Sequence, residues 1–223
     1  MPIDKRVGSA AQALADVSDG ATVLISGFGG AGFPNVLIRA LRERGSKDLT
    51  LVVNSATHRY SLTHELIEAG QVRKVICSAA RGREGGLSAF EQLWGQGKIE
   101  LVCLPQGTFA EAIRAGGAGI PAFYTPTGFG TDLTRGKEVR TFDGSDCVLE
   151  PAITGDLALV RADTSDLYGN LTFRYAQMNF SPAMATAARL AVAEVRAVET
   201  EPIPQERVQL PGIYIDRVVT VSE

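Results

Sequence analysis

The 223-residue chain reads as an α/β protein: an open, mostly parallel sheet with helices on both faces, plus a small antiparallel hairpin. Three observations predict that class. Short apolar runs rich in β-branched residues alternate with segments of helical periodicity, the pattern of βαβ units. The first of these runs empties into a glycine-rich loop that leads into a helix, as at the carboxyl edge of a parallel sheet. Late in the chain Asp143-Gly144 separates two short apolar runs, the mark of a tight hairpin.

Taken in order, Ser9 caps a first amphipathic helix over 9–17, with Ala10, Ala13, Leu14 and Val17 on one face. Thr22–Ile25 has the composition of a strand buried on both sides. Gly27, Gly29, Gly30 and Gly32 follow, backbone that tolerates positive φ and close approach by a ligand. Pro34 suits the first turn of a helix carrying Val36, Leu37, Ala40 and Leu41 at helical spacing, and Gly45 ends it. Free N–H groups and the positive dipole end at that helix start make an anion or oxyanion site. A glycine turn that only lets helix and strand pack is the plainer alternative. The spacing of Gly27, Gly29 and Gly32 also fits G-x-G-x-x-G, but the next strand, Leu49–Val53, ends in Asn54-Ser55 without an acid for a ribose hydroxyl. Nicotinamide binding is therefore set aside.

A helix over 62–69 closed by Gly70, a strand over 72–78, a helix over 88–96 and a strand over 99–104 continue the alternation. Phe90, Leu93 and Trp94 are expected to face inward. Pro105-Gln106-Gly107 reads as a turn, after which Thr108 and Glu111 fit a capping box opening a short helix to Ala115. Over 116–131 glycine and proline are too dense for regular structure, yet the segment is too apolar for a linker. It is expected to be an ordered loop that lines something. The hairpin pairs Val139–Phe142 with 147–149, and Lys137 and Glu138 beside it are expected at the surface. A strand over 157–161, a turn into a strand over 168–174, a helix over 182–188 and strands over 190–195 and 213–221 complete the chain. No repeat, low-complexity stretch or domain boundary stands out, so a single domain over 1–223 is expected.

Composition excludes several classes. With 22 basic and 25 acidic residues there is no basic footprint for nucleic acid. The apolar runs are too short to cross a bilayer, and the basic amino terminus lacks an apolar run behind it, so a cytoplasmic protein is expected. Cys77, Cys103 and Cys147 read as reduced core residues. His58 and His64, six apart with no cysteine nearby, give no zinc site.

Ligands in such sheets sit beyond the carboxyl ends of the strands. That rule gathers the glycine loop, Asn54-Ser55, residues 78–83 with Arg81 and Arg83, and Gln106 after the fourth strand. These supply backbone N–H groups, amides, a hydroxyl and two arginines. No Ser-His or Cys-His arrangement provides a nucleophile or base. The inventory is that of a binding half whose chemistry needs residues from elsewhere. Alternatives remain open: Gln106 could bond to loop backbone, Asn54 and Ser55 could be turn formers, and Arg81 and Arg83 solvated charges.

Four motifs resemble the family I CoA-transferases, in particular the A (alpha) subunits of those acting on 3-oxoacids and 3-oxoadipate. They are the glycine segment 19–34; Val102-Cys103-Leu104-Pro105-Gln106-Gly107-Thr108; the segment 116–131, with Ala122-Phe123-Tyr124-Thr125-Pro126-Thr127-Gly128; and Gly169-Asn170-Leu171-Thr172-Phe173-Arg174 with Asn179-Phe180. The resemblance covers essentially the whole chain. It implies a CoA-transferase-like α/β fold shared with sugar-phosphate isomerases, partnership with a B (beta) subunit, and a CoA thioester as substrate with no permanently bound cofactor and no metal. It also implies a covalent glutamate intermediate, carried by a Ser-Glu-Asn-Gly-type motif of the B subunit. Here Glu68-Ala69-Gly70 comes nearest and reads as a helix end, so this chain alone is expected to be inactive. By the same resemblance Ser26, Gly27, Phe28, Gly29, Gly30, Ala31 and Gly32 contact CoA or the acyl group. Gln106 serves the thioester region and Asn54 and Ser55 a substrate carboxylate, while Arg81 or Arg83 could meet the distal carboxylate of an acid such as 3-oxoadipate. Two departures stand out. Ser26 replaces the first glycine of the family's Gly-Gly-Phe, and Asn54-Ser55-Ala56-Thr57-His58-Arg59 stands where relatives often have Asn-Asn, a change close to the expected acyl pocket, so the acceptor could differ from the usual ones. A non-catalytic ligand-sensing domain and a sugar-phosphate isomerase are the other readings of such a fold; a regulator would need a basic output module, and neither terminus offers one.

Overall fold

The structure is a computed structural model that describes residues 3–82 and 86–221. Seven strands make the body of its main sheet: β1 Thr22–Ile25, β2 Leu49–Val53, β3 Val72–Cys77, β4 Glu100–Cys103, β8 Gly155–Asp166, β10 Ala188–Glu199 and β11 Arg217–Thr220. They run in the order β11-β10-β8-β1-β2-β3-β4, every pairing along that path parallel. A two-residue strand, β9 Leu171–Thr172, pairs antiparallel with β8. A second, three-stranded antiparallel sheet joins β5 Ala122–Thr125, β6 Val139–Phe142 and β7 Ser145–Pro151 in the order β5-β7-β6.

Alternation along the strands sends successive side chains to opposite faces, and each face has its own apolar cluster. Val23 and Ile25 of β1 belong to the cluster that includes Leu37 and Leu41 of α2 (Asn35–Arg44), Leu66 of α3 (Thr63–Glu68) and Phe90 of α4 (Ala89–Gly95). Leu24 belongs to the cluster with Phe109 and Ile113 of α5 (Gln106–Gly117) and Met184 of α6 (Ser181–Ala187). Helices thus cover both faces. The chain builds outward from β1 through β4, then returns to place β8 on the other side of β1. That reversal puts a topological switch point beside the glycine loop.

Most expected elements are present, with informative differences. The first helix is only α1 Ala10–Ala13, capped by Ser9 as expected. Trp94 is 50% exposed, not inward, whereas Phe90 is buried. The Thr108–Glu111 capping box does not form. Helix α5 begins three residues earlier, at Gln106 with Pro105 as N-cap, so Thr108 is already inside it, and Glu111 pairs with Arg114 instead. Segment 116–131 is not a loop throughout: it holds the end of α5, strand β5 and a turn. Gly116 and Gly117 belong to helix packing, since a Cβ on Gly116 would lie 2.1 Å from the Ile153 carbonyl oxygen and one on Gly117 2.2 Å from Thr186 Oγ1. Strands β8 and β10 run to twelve residues each because they pair with each other from Ala188↔Gly155 to Glu199↔Asp166. At the carboxyl end, residues 212–214 form a 3-10 turn and only 217–220 are strand.

The three cysteines are free thiols, and burial pushes the Cys77 thiol up to about 12, which leaves it unreactive. Among the described residues, no helix is long and apolar enough to cross a membrane.

Candidate functional site

The loop after β1 is held mainly by its own chain. Ser26 is buried and its Oγ donates to the Gly32 carbonyl at 2.9 Å. Phe28 and Ala31 exchange both backbone hydrogen bonds at 3.0 Å around Gly29 (φ 61°) and Gly30 (φ 95°), a two-residue turn that only such backbone accepts readily. Asn179, just before α6, straps the loop: its Oδ1 accepts from Gly27 N at 3.1 Å and its Nδ2 donates to the Ala31 carbonyl at 3.1 Å. A Cβ on Gly32 would stand 2.5 Å from the Gln177 carbonyl oxygen, so this glycine serves close approach of protein to protein. Phe28 and Gly29 are the loop residues that reach the large cavity described below. Ser26, Gly27, Gly30, Ala31 and Gly32 do not line it.

The helix start expected to receive an anion is already closed. Pro34 is the N-cap of α2, without a side-chain cap of its own, and Leu37 N donates at 2.9 Å to Oε2 of Glu194, far away on β10. Glu194 is 1% exposed and lies in register with Arg161 on β8, whose Nη1 donates to Oε1 at 3.0 Å. Burial pushes the Glu194 carboxyl above the usual carboxylate range, while the α2 N–H groups and Arg161 pull against it. The anion at this helix dipole is the protein's own carboxylate.

The four strand-end segments do meet. A cavity of about 1010 Å³ is walled by Phe28 and Gly29 after β1, Asn54 and Ser55 after β2, Arg81 after β3, and Gln106 after β4. Its fixed point is Asn54, which is buried. Asn54 Oδ1 accepts from Gln106 Nε2 at 2.8 Å and from Ser78 Oγ at 3.0 Å, and its carbonyl accepts from the N–H groups of Ser78 and Ala79 at 3.1 Å. Asn54 and Gln106 thus hold each other in place across two strand ends. Gln106 is also the first residue of α5, whose N-cap residue, Pro105, supplies no side-chain cap. Arg83 lies outside the described residues.

The departure at 56–59, expected only to lie close to the acyl pocket, becomes one wall of this cavity: Thr57, His58 and Arg59, joined by Tyr60. Asn35 ties it down, its Nδ2 donating to the Tyr60 carbonyl at 2.9 Å and its Oδ1 accepting from Leu62 N at 3.0 Å. The Arg59 guanidinium lies 4.8 Å from the Tyr60 ring centroid and donates to its hydroxyl at 2.8 Å. The His58 ring packs on Phe33 with centroids 4.6 Å apart. The usable signal was two basic residues and an aromatic directly after a strand end.

A second cavity of about 510 Å³ shares Phe28 and Gln106 with the first and continues between α5 and α6 along Ala110, Phe180 and Ala183. Among the described residues, no group of three or more His, Cys, Asp or Glu side chains could hold a metal ion. The site therefore offers amide donors, an uncapped helix start and cationic side chains around a roomy cavity.

A family model described as Coenzyme A transferase matches residues 7–220. The A (alpha) subunit of the 3-oxoadipate CoA-transferase of Pseudomonas putida is 45% identical over 221 residues, covering 99% of this chain and 95% of that protein. The corresponding A (alpha) subunit of the succinyl-CoA:3-ketoacid coenzyme A transferase of Xanthomonas campestris pv. campestris (strain B100) is 46% identical over 217 residues, 96% of this chain and 88% of that protein. Among solved structures, an acyl-CoA transferase from E. coli O157:H7 in a thioester complex with CoA gives a TM-score of 0.82 at 23% identity, covering 98% of this chain and 47% of that one. Glutaconate coenzyme A-transferase from Acidaminococcus fermentans gives 0.83 at 19% identity, with 98% and 76% covered. The chain thus spans about half the length of the first structure, and at these identities both speak to the fold alone.

Proposed function

The chain belongs to the coenzyme A transferase family, and from that premise we propose that it is the A (alpha) subunit of a heteromeric CoA-transferase. It moves CoA from an acyl-CoA such as succinyl-CoA to a 3-oxo acid, 3-oxoadipate or acetoacetate, with a B subunit supplying the reacting glutamate. One observation carries this reading: the Asn54–Gln106 pair, with Gln106 as the first residue of α5, stands in a cavity that gathers all four strand ends. That is a cradle for an oxyanion, and it lacks a nucleophile of its own.

The reaction follows from the charges that must be stabilised. The partner's glutamate carboxylate attacks the thioester carbonyl, the C–S bond breaks, and CoA departs as thiolate, leaving a mixed anhydride of the glutamate and the donor acid. The thiolate then attacks the glutamyl carbonyl, releasing the donor acid and leaving CoA bound to glutamate as a thioester. The acceptor's carboxylate repeats the sequence in reverse, so carboxylate and thioester balance throughout. Each addition places negative charge on a former carbonyl oxygen. Gln106 and the first N–H groups of α5 are the donors aimed at that oxygen, preorganised by Asn54. Ser55 belongs to the carboxylate end of the acceptor and Arg81 to its far end. Phe28 and Gly29 form the acyl and CoA side, and Ser26, Gly27, Gly30, Ala31 and Gly32 support them from behind. CoA enters and leaves as substrate with no permanently held cofactor, and the enzyme works in the cytoplasm as one domain per chain.

Co-expression with the chain encoded beside this one, followed by assay of CoA exchange between succinyl-CoA and 3-oxo acids, tests the proposal. Activity is expected only from the complex. Full turnover by the purified single chain, or a partner without a reactive glutamate, would overturn it.

A further inference from the structure

We propose that the turn carrying Tyr175 anchors the B subunit, its phenol ring seating in an apolar pocket of that chain beside the glycine loop. The inference rests on the function proposed above and deepens it, naming the surface that receives the partner.

Three features point there. The first is exposure. Tyr175 is 95% exposed, and Met178 on the same turn is exposed as well. Next to that turn Phe28 is exposed and meets Phe180 edge to face, with ring centroids 6.4 Å apart. Large apolar side chains grouped in this way mark an interface, where Tyr, Phe and Met are enriched. The second is strain. Among the described residues Asp48, Asp143 and Tyr175 are the non-glycine residues at positive φ. A short aspartate side chain eases that conformation, whereas a tyrosine at φ 50° gets no such relief. The turn is nonetheless held shut: Gln177 N donates to the Arg174 carbonyl at 3.0 Å, and Gln177 Oε1 accepts from Arg174 N at 2.9 Å. Asn179 Nδ2 donates to the Ala176 carbonyl at 2.8 Å as well as to the glycine loop. A strained aromatic turned to water gains the free chain nothing, but set in advance for a pocket it lowers the cost of docking. The third is position. Phe28 lines the large cavity, whose wall carries neither Asp nor Glu among the described residues. A partner that brings a glutamate into that cavity passes its rim, and the turn is fastened to the same glycine loop, the Gln177 carbonyl packing against Gly32. That continuity selects the B subunit over a second copy of this chain, which has no Ser-Glu-Asn-Gly-type motif to deliver. A buried tyrosine hydroxyl needs a hydrogen-bond partner, so the receiving pocket has apolar walls and a polar floor.

The test titrates this chain with its B subunit in a calorimeter. Tyr175→Gly removes the ring and relieves the backbone. It is expected to weaken the complex about 30-fold while the denaturation midpoint of the chain alone stays at or above the wild-type value. Tyr175→Asn, polar and tolerant of left-handed backbone, should weaken it similarly, and Tyr175→Phe, which keeps the ring, should retain most of the affinity. CoA exchange at saturating B subunit should reach the wild-type kcat, with half-maximal activity moved to a higher B-subunit concentration. Wild-type protein supplies a check that needs no variant: tetranitromethane, with the products mapped by mass spectrometry, should nitrate Tyr175 in the chain alone and not in the complex. Unchanged affinity in the Gly and Asn variants, or equal nitration of Tyr175 with and without the B subunit, overturns the inference and leaves the proposed function standing. So does protection of Tyr175 in the chain alone that disappears on dilution, which would make a second copy the occupant. A wild-type chain that forms no complex brings down both.

Discussion

Helices α2 and α5 begin alike and end up with opposite roles. Each follows a strand end of the same sheet, each has a proline as N-cap, and neither receives a cap from that residue's side chain. At α2 the free N–H groups meet Glu194, a buried carboxylate delivered from β10 and braced by Arg161. At α5 the first residue, Gln106, lines the large cavity, and Pro105 supplies no side-chain cap. The contrast teaches that a helix start at a sheet edge is a binding site only when the fold leaves it empty. Here the start of α2, next to the glycine loop, is closed by the protein's own carboxylate, and the start of α5 carries Gln106 on the cavity wall.

Breaking the closed end gives the largest expected effect. Glu194→Ala removes the cap from α2 and one partner of Arg161 at a site without access to water, and breaking a buried pair of this kind costs about 3 kcal/mol. Chemical denaturation of the variant should show that loss in midpoint with an unchanged slope. A loss below about 1 kcal/mol would mean that α2 does not depend on this carboxylate. The open end should respond in rate instead. Gln106→Ala deletes a donor and unties Asn54, and removal of one oxyanion donor costs about 10²-fold in kcat. Steady-state kinetics of the complex should show this with little change in KM and a midpoint close to wild type. If KM rises and kcat stays, Gln106 binds ground state and transition state equally.

The same pair of helices shows what the sequence could disclose. Strands 22–25, 49–53 and 139–142 were legible to the residue, because glycine or polar residues bound each apolar run. Strands β8 and β10 were read short. Asp163 in one and Arg196 in the other interrupt the apolar pattern just past the expected ends, and only the fold shows that Glu194 faces Arg161 and Arg196 faces Asp163 across the ladder. Asn54, Ser55, Arg81 and Gln106 were found together because strand ends converge in any open α/β sheet. The capping of α2 was out of reach, its partner lying 157 residues away with no periodicity to reveal it. The wall formed by His58, Arg59 and Tyr60 was visible as residues but not as a wall, since loop direction is set by Asn35 on another element. Trp94 was misjudged because helical spacing marks a face without saying whether anything covers it.

The smallest expected effect is also the sharpest test of what closes α2. Burial is the main influence on Glu194 and raises its carboxyl above the ordinary value, so in folded protein the proton is held more tightly than in the unfolded chain. The folded state then binds more protons in that window, and linkage makes stability fall as pH rises. The contribution is fully present below the unfolded value, about 4.3 for glutamate, and is lost as pH climbs through the higher folded one. Glu194→Gln keeps the shape and an acceptor for Leu37 N, and does not titrate. The difference in unfolding free energy between wild type and this variant, followed upward from about pH 4, should therefore shrink and then level off. A difference that grows with pH would mean that Leu37 and Arg161 stabilise the ionised carboxylate by more than its burial costs, and the closed helix start would then be held by charge, as the open one is expected to hold its substrate.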